Sequence, residues 1–246
     1  MTLAREDHRV ALRELGKAWR LFMINRRSAL AFAAVWFTTR VAAQQEPHAF
    51  PLRADDGSPV VNSKLPSGLD PTKLPGIVWK GPADAKVSLI EYFDYNCGYC
   101  REAVGDLDAL AASEPSMRLG LVDYAVLSPE SAEAAKVHQA VLALAGPNAA
   151  YDFHVRLFKR RGHANGAAAL AVAQELGLDP AKVKEVANSP AVTEALVKQA
   201  RLAQQLRLEA TPSFVVGGAA LLGWPGPRSI KRAVEEVKKC GTVVCR

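Results

Sequence analysis

The sequence predicts a mixed α/β fold in which two halves, β-α-β and β-β-α, are separated by a block of helices. Three observations support this order. A β-branched and aromatic run, residues 87–93, is followed by apolar residues at helical spacing and then by a second strand-like run. Residues 128–207 carry repeated helix-start signals and no strand pattern. Two short apolar runs then flank Gly217-Gly218, which is typical of a hairpin.

The first half begins with a short strand candidate at residues 77–79 and a stronger one at residues 87–93. Between Cys100 and Ala112 the apolar residues recur at three- and four-residue intervals, which predicts a helix. Residues 117–122 form the next strand candidate. Because a helix connects the two strands, we expect them to be parallel neighbours.

The helical block is marked by its starts and stops. Ser128, Asp179 and Ser189 each precede a proline, which is the N-cap and first-turn pattern of a helix. Asn148 and Asn165 are further N-cap candidates. Helices should end at Gly146, Gly162 and Gly177, and we expect four to five helices. The second half then contains strands 213–216 and 219–222 and a final amphipathic helix, 227–239. The predicted domain spans residues 77–246, with the helical insertion at about 128–207.

The charge distribution argues against a nucleic-acid partner. The 246 residues carry a formal charge of +6, but residues 1–43 contribute +5 of it and the remainder only +1. A nearly neutral body has no general phosphate-binding surface.

Residues 1–43 are predicted to be an export signal. Arg26-Arg27 is followed by an apolar stretch too short to span a bilayer, and Val41-Ala42-Ala43 provides small residues before Gln44. Translation from Met23 would give a compact signal by itself. The alternatives are a buried helix or an uncleaved anchor, and the export route, Sec or twin-arginine, stays open. Cleavage would leave a periplasmic protein with no stable membrane span, in an oxidising compartment.

The segment that follows, residues 44–76, contains six prolines and no sustained periodicity. We expect an extended, poorly ordered arm. A role in oligomerisation is the alternative.

The chemistry is predicted to lie in Cys97-Gly98-Tyr99-Cys100. Such a pair can be half of a zinc site, a structural disulfide or a redox pair. It follows a strand and opens a helix, where free backbone N–H groups favour a thiolate at Cys97. A zinc site needs about four ligands, and no histidine is near the pair in sequence. The position therefore favours redox chemistry.

Two further residues are candidates for the same site. Glu91 shares a strand face with Leu89 and Phe93, so we expect it in a covered interior, with a raised pKa, exchanging protons with Cys100. An edge carboxylate in solvent is the alternative. Thr211-Pro212 precedes a strand, where a cis bond would expose backbone groups to an extended substrate. The alternative is an ordinary trans proline.

The segment Val87 to Cys100 closely resembles the active-site segment of DsbA-like thiol:disulfide oxidoreductases of the thioredoxin superfamily. The Thr211-Pro212-Ser213-Phe214 segment resembles their cis-proline loop. This resemblance implies a thioredoxin fold with a helical insertion, Cys97 as nucleophile, Cys100 as resolving cysteine and Glu91 as buried acid. Thr211, Pro212 and Tyr99 are then the expected substrate contacts.

The resemblance also implies partners. These are exported proteins that contain cysteines, together with a membrane or periplasmic redox partner, and no cofactor or metal is expected. Gly-Tyr between the cysteines lacks the imidazole of the most oxidising members, so we expect a moderately oxidising pair. The isomerase and reductase relatives carry a separate dimerisation domain, and we expect residues 44–76 to be too short and too rich in proline to form one. This favours an oxidase, and an isomerase or reductase is the alternative. Periplasmic copper(I) binding through the same sulfurs, or a chaperone-like module with an inert disulfide, are rivals from other classes.

Cys240 and Cys245 are five positions apart, which is compatible with a local structural disulfide. Two free terminal thiols are the alternative.

Overall fold

The computed structural model describes residues 48–245, and the predicted signal peptide, residues 1–43, lies outside the described residues. Six strands form one sheet in the order β1-β6-β5-β3-β4-β2. They are β1 (Asn62–Lys64), β2 (Val78–Lys80), β3 (Val87–Phe93), β4 (Met117–Asp123), β5 (Ser213–Val216) and β6 (Ala219–Leu222). Strands β3 and β4 are parallel, and each other neighbouring pair is antiparallel.

Six α-helices accompany the sheet: α1 (Gly98–Ser113), α2 (Pro129–Lys159), α3 (Gly166–Glu175), α4 (Pro180–Ala187), α5 (Pro190–Gln205) and α6 (Pro227–Cys240). The α/β class and the order β-α-β, helical block, β-β-α are confirmed. Within residues 48–245, no helix combines the length and the apolarity needed to cross a bilayer.

The central strand β3 is covered on both faces. Leu89 and Phe93 belong to the larger apolar cluster, which also contains residues of α1, α2 and α6. Ile90 and Tyr92 belong to a second cluster, which packs against α5. Because successive side chains of a strand point to opposite faces, Glu91 shares the face of Leu89 and Phe93.

The helical block begins its helices as the sequence predicts. The side chains of Ser128, Asn165, Asp179 and Ser189 each accept a hydrogen bond from a backbone N–H in the first turn of the following helix. The glycine expected to end the first helix does so. Gly146 has φ of 80° and ψ of 179°, outside the helical region, and α2 consists of two helical stretches that meet at this kink.

The described part of the proline-rich arm, residues 48–76, is extended but packed, in contrast to the poor order expected for it. Strand β1 extends the sheet beside β6, and Val60 and Asn62 are buried. The Asn62 side chain donates to the carbonyl oxygens of Phe50 and Val60 and accepts the Phe50 N–H. These bonds hold an irregular segment against the sheet, although it has no regular pattern in sequence.

Candidate active site

Cys97 is the N-cap residue of α1 and lies directly beyond the turn that follows β3. Its backbone is extended, with φ of −80° and ψ of 122°, and its N–H donates to the carbonyl oxygen of Asp94 at 3.0 Å. The residue is 7% exposed, whereas Gly98 and Tyr99 are exposed. A sulfur atom therefore occupies the position where an oxygen usually caps the first free N–H groups of a helix.

These surroundings stabilise the thiolate of Cys97. A hydrogen bond from the Cys100 thiol lowers the pKa of Cys97 most, to about 5 overall, with help from the Thr211 side chain and the N–H groups of Cys100 and Tyr99. Burial opposes this shift but does not cancel it. Cys97 is thus a thiolate at neutral pH, as the position at a helix start predicts.

Cys100 has the opposite character. Its side chain is fully buried, and that burial raises the pKa of its thiol far above the usual range. The hydrogen bond with Cys97 and the nearby Glu91 carboxyl act in the same direction. Both cysteines are free thiols in the structure. One turn of helix therefore carries an ionised sulfur near the surface and a protonated sulfur beneath it.

Glu91 lies in the sheet interior, as its strand phase predicts. It is paired in register with Leu121 of β4 and Phe214 of β5, and it is 1% exposed. Neither carboxyl oxygen has a hydrogen-bond partner in the protein. Burial first, and then the negative charge of Cys97, raise the pKa of Glu91 to about 8. A carboxyl that keeps its proton at neutral pH can give that proton to a sulfur.

The Thr211–Pro212 peptide bond is cis. Sγ of Cys97 lies 3.0 Å from the carbonyl oxygen of Thr211, within hydrogen-bond distance for the protonated thiol, and this contact joins the start of β5 to the start of α1. Thr211 is half-buried and Pro212 is buried, while Tyr99 is 64% exposed. The structure thus brings Thr211 to Cys97 and leaves the ring of Tyr99 exposed.

Cys240 and Cys245 form a disulfide at the end of α6, with a Cα–Cα distance of 5.8 Å. Glu236, Cys240 and Cys245 are the one group of three potential metal ligands found among residues 48–245. Because the disulfide uses both sulfurs, this group offers no thiolate to a metal ion.

Sequence reasoning missed the polar side chains that hold the active-site turn. Asp94 is buried, and its carboxylate accepts four hydrogen bonds, from Asn96, Ser131, Val126 and Leu127. Aspartate followed by asparagine after a strand is a common turn signal, so the turn could have been found. Its partners Val126, Leu127 and Ser131 lie more than thirty positions away in the chain, and no sequence pattern predicts those contacts.

Comparisons with known proteins identify the family to which the chain belongs. The profile of the DSBA-like thioredoxin domain matches residues 88–237, and the chain belongs to that family. A thioredoxin-like oxidoreductase from Silicibacter pomeroyi is 30% identical, with a TM-score of 0.65, and the match covers 70% of this chain and 99% of that one. BdbD from Bacillus subtilis has the same fold at 21% identity, with a TM-score of 0.61 and coverage of 67% and 94%.

The chain is also similar to part of two curated Na(+)/H(+) antiporters. The Na(+)/H(+) antiporter NhaA of Herminiimonas arsenicoxydans is 31% identical over 179 residues, which are 72% of this chain and 28% of that protein. A second such antiporter, from Salinispora tropica, is 28% identical over 56% of this chain and 21% of its own length. The chain therefore spans less than a third of the curated relatives that it matches.

Proposed function

We propose that this protein is a thiol:disulfide oxidoreductase that exchanges disulfides with cysteines of exported proteins and acts mainly as an oxidase. One observation supports this proposal above all others, namely the Cys97 thiolate held at the start of α1 with the protonated Cys100 beneath it. A pair with one good nucleophile and one buried partner is suited to forming and resolving a mixed disulfide.

The oxidase reaction starts from the Cys97–Cys100 disulfide. A client thiolate attacks Sγ of Cys97, a client–Cys97 bond forms, and the bond to Cys100 breaks. Cys100 leaves with the electron pair and takes a proton, which Glu91 supplies because its raised pKa keeps it protonated. A second client thiolate then attacks the client sulfur, and Cys97 leaves as a thiolate. Two electrons pass from two client thiols to the pair, and solvent returns the proton to Glu91.

The direction follows from the stability of the reduced form. Hydrogen bonds to the Cys97 thiolate stabilise the reduced pair and have no counterpart in the disulfide. Such stabilisation makes a pair a stronger oxidant. The Gly-Tyr dipeptide contributes no imidazole to stabilise the thiolate, so we propose that the Cys97–Cys100 pair is a moderately strong oxidant. Isomerase activity is the alternative, and it requires that a partner keep the pair reduced.

Substrate contacts are proposed at Thr211, Pro212 and Tyr99. Thr211 lies against Cys97, and the exposed ring of Tyr99 sits between the two cysteines in sequence. An extended client segment can lie along the start of β5 while its cysteine meets Cys97. Tyr99 would then cover apolar side chains beside that cysteine.

The compartment and the redox partner are part of the same proposal. The signal at residues 1–43 would place the protein in the periplasm, where a membrane or periplasmic disulfide-bearing partner accepts two electrons from the reduced pair. N-terminal sequencing of the exported protein should give Gln44 as the first residue. Retention of residues 24–43 in that protein would contradict cleavage.

Disulfide transfer is tested with reduced, denatured ribonuclease A as client. The oxidised protein should remove two client thiols for each pair, and Cys97→Ser should remove none. Cys100→Ser, once oxidised with a client thiol, should hold a mixed disulfide that does not resolve. Unchanged client thiols, together with stoichiometric copper(I) binding by the pair, would replace the proposal with the copper-binding alternative. Faster repair of scrambled ribonuclease A by the reduced protein would favour the isomerase.

We also propose that a Na(+)/H(+) antiporter is among the membrane partners. The antiporters named above contain a segment similar to this chain within a longer protein. Two activities joined in one chain in some organisms can act together as separate chains in others. In cells expressing both proteins, Cys100→Ser should trap the antiporter as a mixed disulfide that reductant releases, and Cys97→Ser/Cys100→Ser should trap none. Equal recovery with both variants would contradict the partnership.

A further inference from the structure

The turn between β3 and α1 is built around the buried carboxylate of Asp94. Oδ1 accepts the N–H of Asn96 at 2.8 Å and the hydroxyl of Ser131, in the first turn of α2, at 2.7 Å. Oδ2 accepts the N–H groups of Val126 and Leu127, each at 2.9 Å. A carboxylate with four such bonds fixes the relative positions of all the segments that donate to it.

Asn96, the residue directly before Cys97, adds a second set of bonds. Its amide nitrogen donates to Ser131 Oγ and to the carbonyl oxygen of Ala164, both at 2.9 Å. Its amide oxygen accepts the N–H of Ala164 at 2.8 Å. Ala164 lies between α2 and α3, so the turn is attached to the helical insertion at two separate places.

These bonds bear on Cys97 through the backbone. The carbonyl oxygen of Asp94 accepts the Cys97 N–H, and neither the Asp94 nor the Asn96 side chain is hydrogen-bonded to the sulfur. The thiolate depends on donors outside the turn: the Thr211 side chain at the start of β5, and the Cys100 thiol and the N–H groups of Tyr99 and Cys100 in the first turn of α1. Hydrogen bonds weaken steeply with distance and angle, so a small movement of Cys97 would weaken several of them together.

We infer that Asp94 and Asn96 form a polar clamp, which positions the Cys97 sulfur among its hydrogen-bond donors by fixing the active-site turn to the helical insertion. The clamp also holds the loop that presents Val126 and Leu127, which are 53% and 55% exposed. Their side chains thus keep a fixed position relative to the nucleophile. The inference deepens the proposed function and rests on it for its biological meaning, but the position of the sulfur can be tested without any client.

A purely structural role is the alternative, in which Asp94 only satisfies buried N–H groups and its loss loosens the whole domain. Asp108 provides a matched control. It lies on α1, and its carboxylate accepts the hydroxyl of Tyr151 on α2 at 2.9 Å. It therefore also joins the active-site helix to the helical insertion, but through residues away from the turn. The titratable groups facing Cys97 itself, Glu91 and Cys100, are unchanged in all these variants.

The experiment measures the rate of iodoacetamide alkylation of Cys97 in the reduced protein between pH 3 and 9. We expect Asp94→Ala to move the midpoint upward by at least one pH unit from about 5, which slows alkylation at pH 5 by about fivefold or more. Asn96→Ala should move it upward by less, and Asp108→Asn should leave it at the wild-type value. Asp94→Asn, which keeps one acceptor oxygen, should lie between wild type and Asp94→Ala.

Two results would overturn the inference. One is a wild-type midpoint in the Asp94 variants despite loss of thermal stability. The other is an equal shift in Asp108→Asn. If Asp94→Ala does not fold, Asn96→Ala and Ser131→Ala decide the question, since each removes part of the clamp and keeps the buried carboxylate. Failure of disulfide transfer to ribonuclease A with a normal alkylation profile would count against the proposed function and leave the clamp intact.

Discussion

The carbonyl oxygen of Thr211 lies 3.0 Å from Sγ of Cys97, although the two residues are 114 positions apart in the chain. The contact exists because β5 pairs with β3, which places the residue before Pro212 beside the start of α1. The helical insertion, residues 129–205, lies between β4 and β5 in the chain and ends shortly before Thr211. The surroundings of Cys97 are therefore assembled from both halves of the fold.

Thr211 provides the first prediction. Its side chain is one of the groups that lower the pKa of Cys97. Thr211→Val keeps the shape and removes the hydroxyl, so the pKa of Cys97 should rise by about one unit, the size of one hydrogen bond to a charged group. The measurement is thiolate absorbance at 240 nm against pH. Thr211→Ser retains a hydroxyl and should stay near wild type, and a wild-type pKa in Thr211→Val would exclude the contribution.

Glu91 should make stability depend on pH. Because burial raises its pKa to about 8, the folded state keeps a proton that the unfolded state releases above its ordinary value of 4.5. The folded protein therefore loses stability as the pH rises from 4.5 to 8. Glu91→Gln does not titrate, so its free energy of unfolding should exceed that of the parent by an amount that grows across this range.

Urea titrations at pH 5, 6.5 and 8 check this difference. A Cys97→Ser background removes the titrating thiolate from both proteins. The surface variant Glu185→Gln should follow its parent at every pH. A constant difference between Glu91→Gln and its parent would mean that Glu91 is already ionised in the folded state. In the protein with both cysteines, Glu91→Gln should also slow thiol exchange between pH 6 and 8, because no group delivers a proton to Cys100.

The Cys240–Cys245 disulfide should be structural. It closes a loop of five positions, which removes little entropy from the unfolded chain. The double substitution to serine should lower the free energy of unfolding by about 2 kcal/mol or less and leave alkylation of Cys97 unchanged. Alkylation of the native reduced-site protein, followed by mass spectrometry, should label Cys97 and neither terminal cysteine. A large drop in disulfide transfer would contradict a purely structural role.

Asp55 should anchor the arm to the domain. Its carboxylate accepts the N–H groups of Arg228 and Ser229 at the start of α6. Asp55→Ala should lower the free energy of unfolding by about 1–2 kcal/mol, as expected for loss of a helix cap, and should speed proteolysis within residues 48–60. The neighbouring Asp56 accepts bonds only from Ser58, so Asp56→Ala should behave as wild type. Equal proteolysis of the two variants would contradict the anchor.

The sequence predicts those parts of the fold whose pattern is local. Strand β3 and the β5–β6 hairpin have the predicted bounds, because their residue types and Gly217-Gly218 specify them over a few positions. The burial of Glu91 follows from the period of two in a strand. For Cys97, the position between a strand and a helix predicts a lowered pKa, and its surroundings in the structure lower that pKa.

Other features depend on partners far away in the chain. The bonds of Asp94 to Val126, Leu127 and Ser131 span 32, 33 and 37 positions, and that of Asp55 to Ser229 spans 174. No periodicity records such pairings, so the packed arm and the clamp could not be derived from the residues alone.

The reduction potential of the Cys97–Cys100 pair, measured in glutathione buffers, tests the central claim most directly. The claim is that hydrogen bonds to the Cys97 thiolate stabilise the reduced form and make the pair an oxidant. The predicted potential lies above that of thioredoxin, roughly −270 mV, and below that of the strongest oxidases, roughly −120 mV. A potential at or below the thioredoxin value would contradict the claim, because the thiolate would then not stabilise the reduced pair enough for it to oxidise a client.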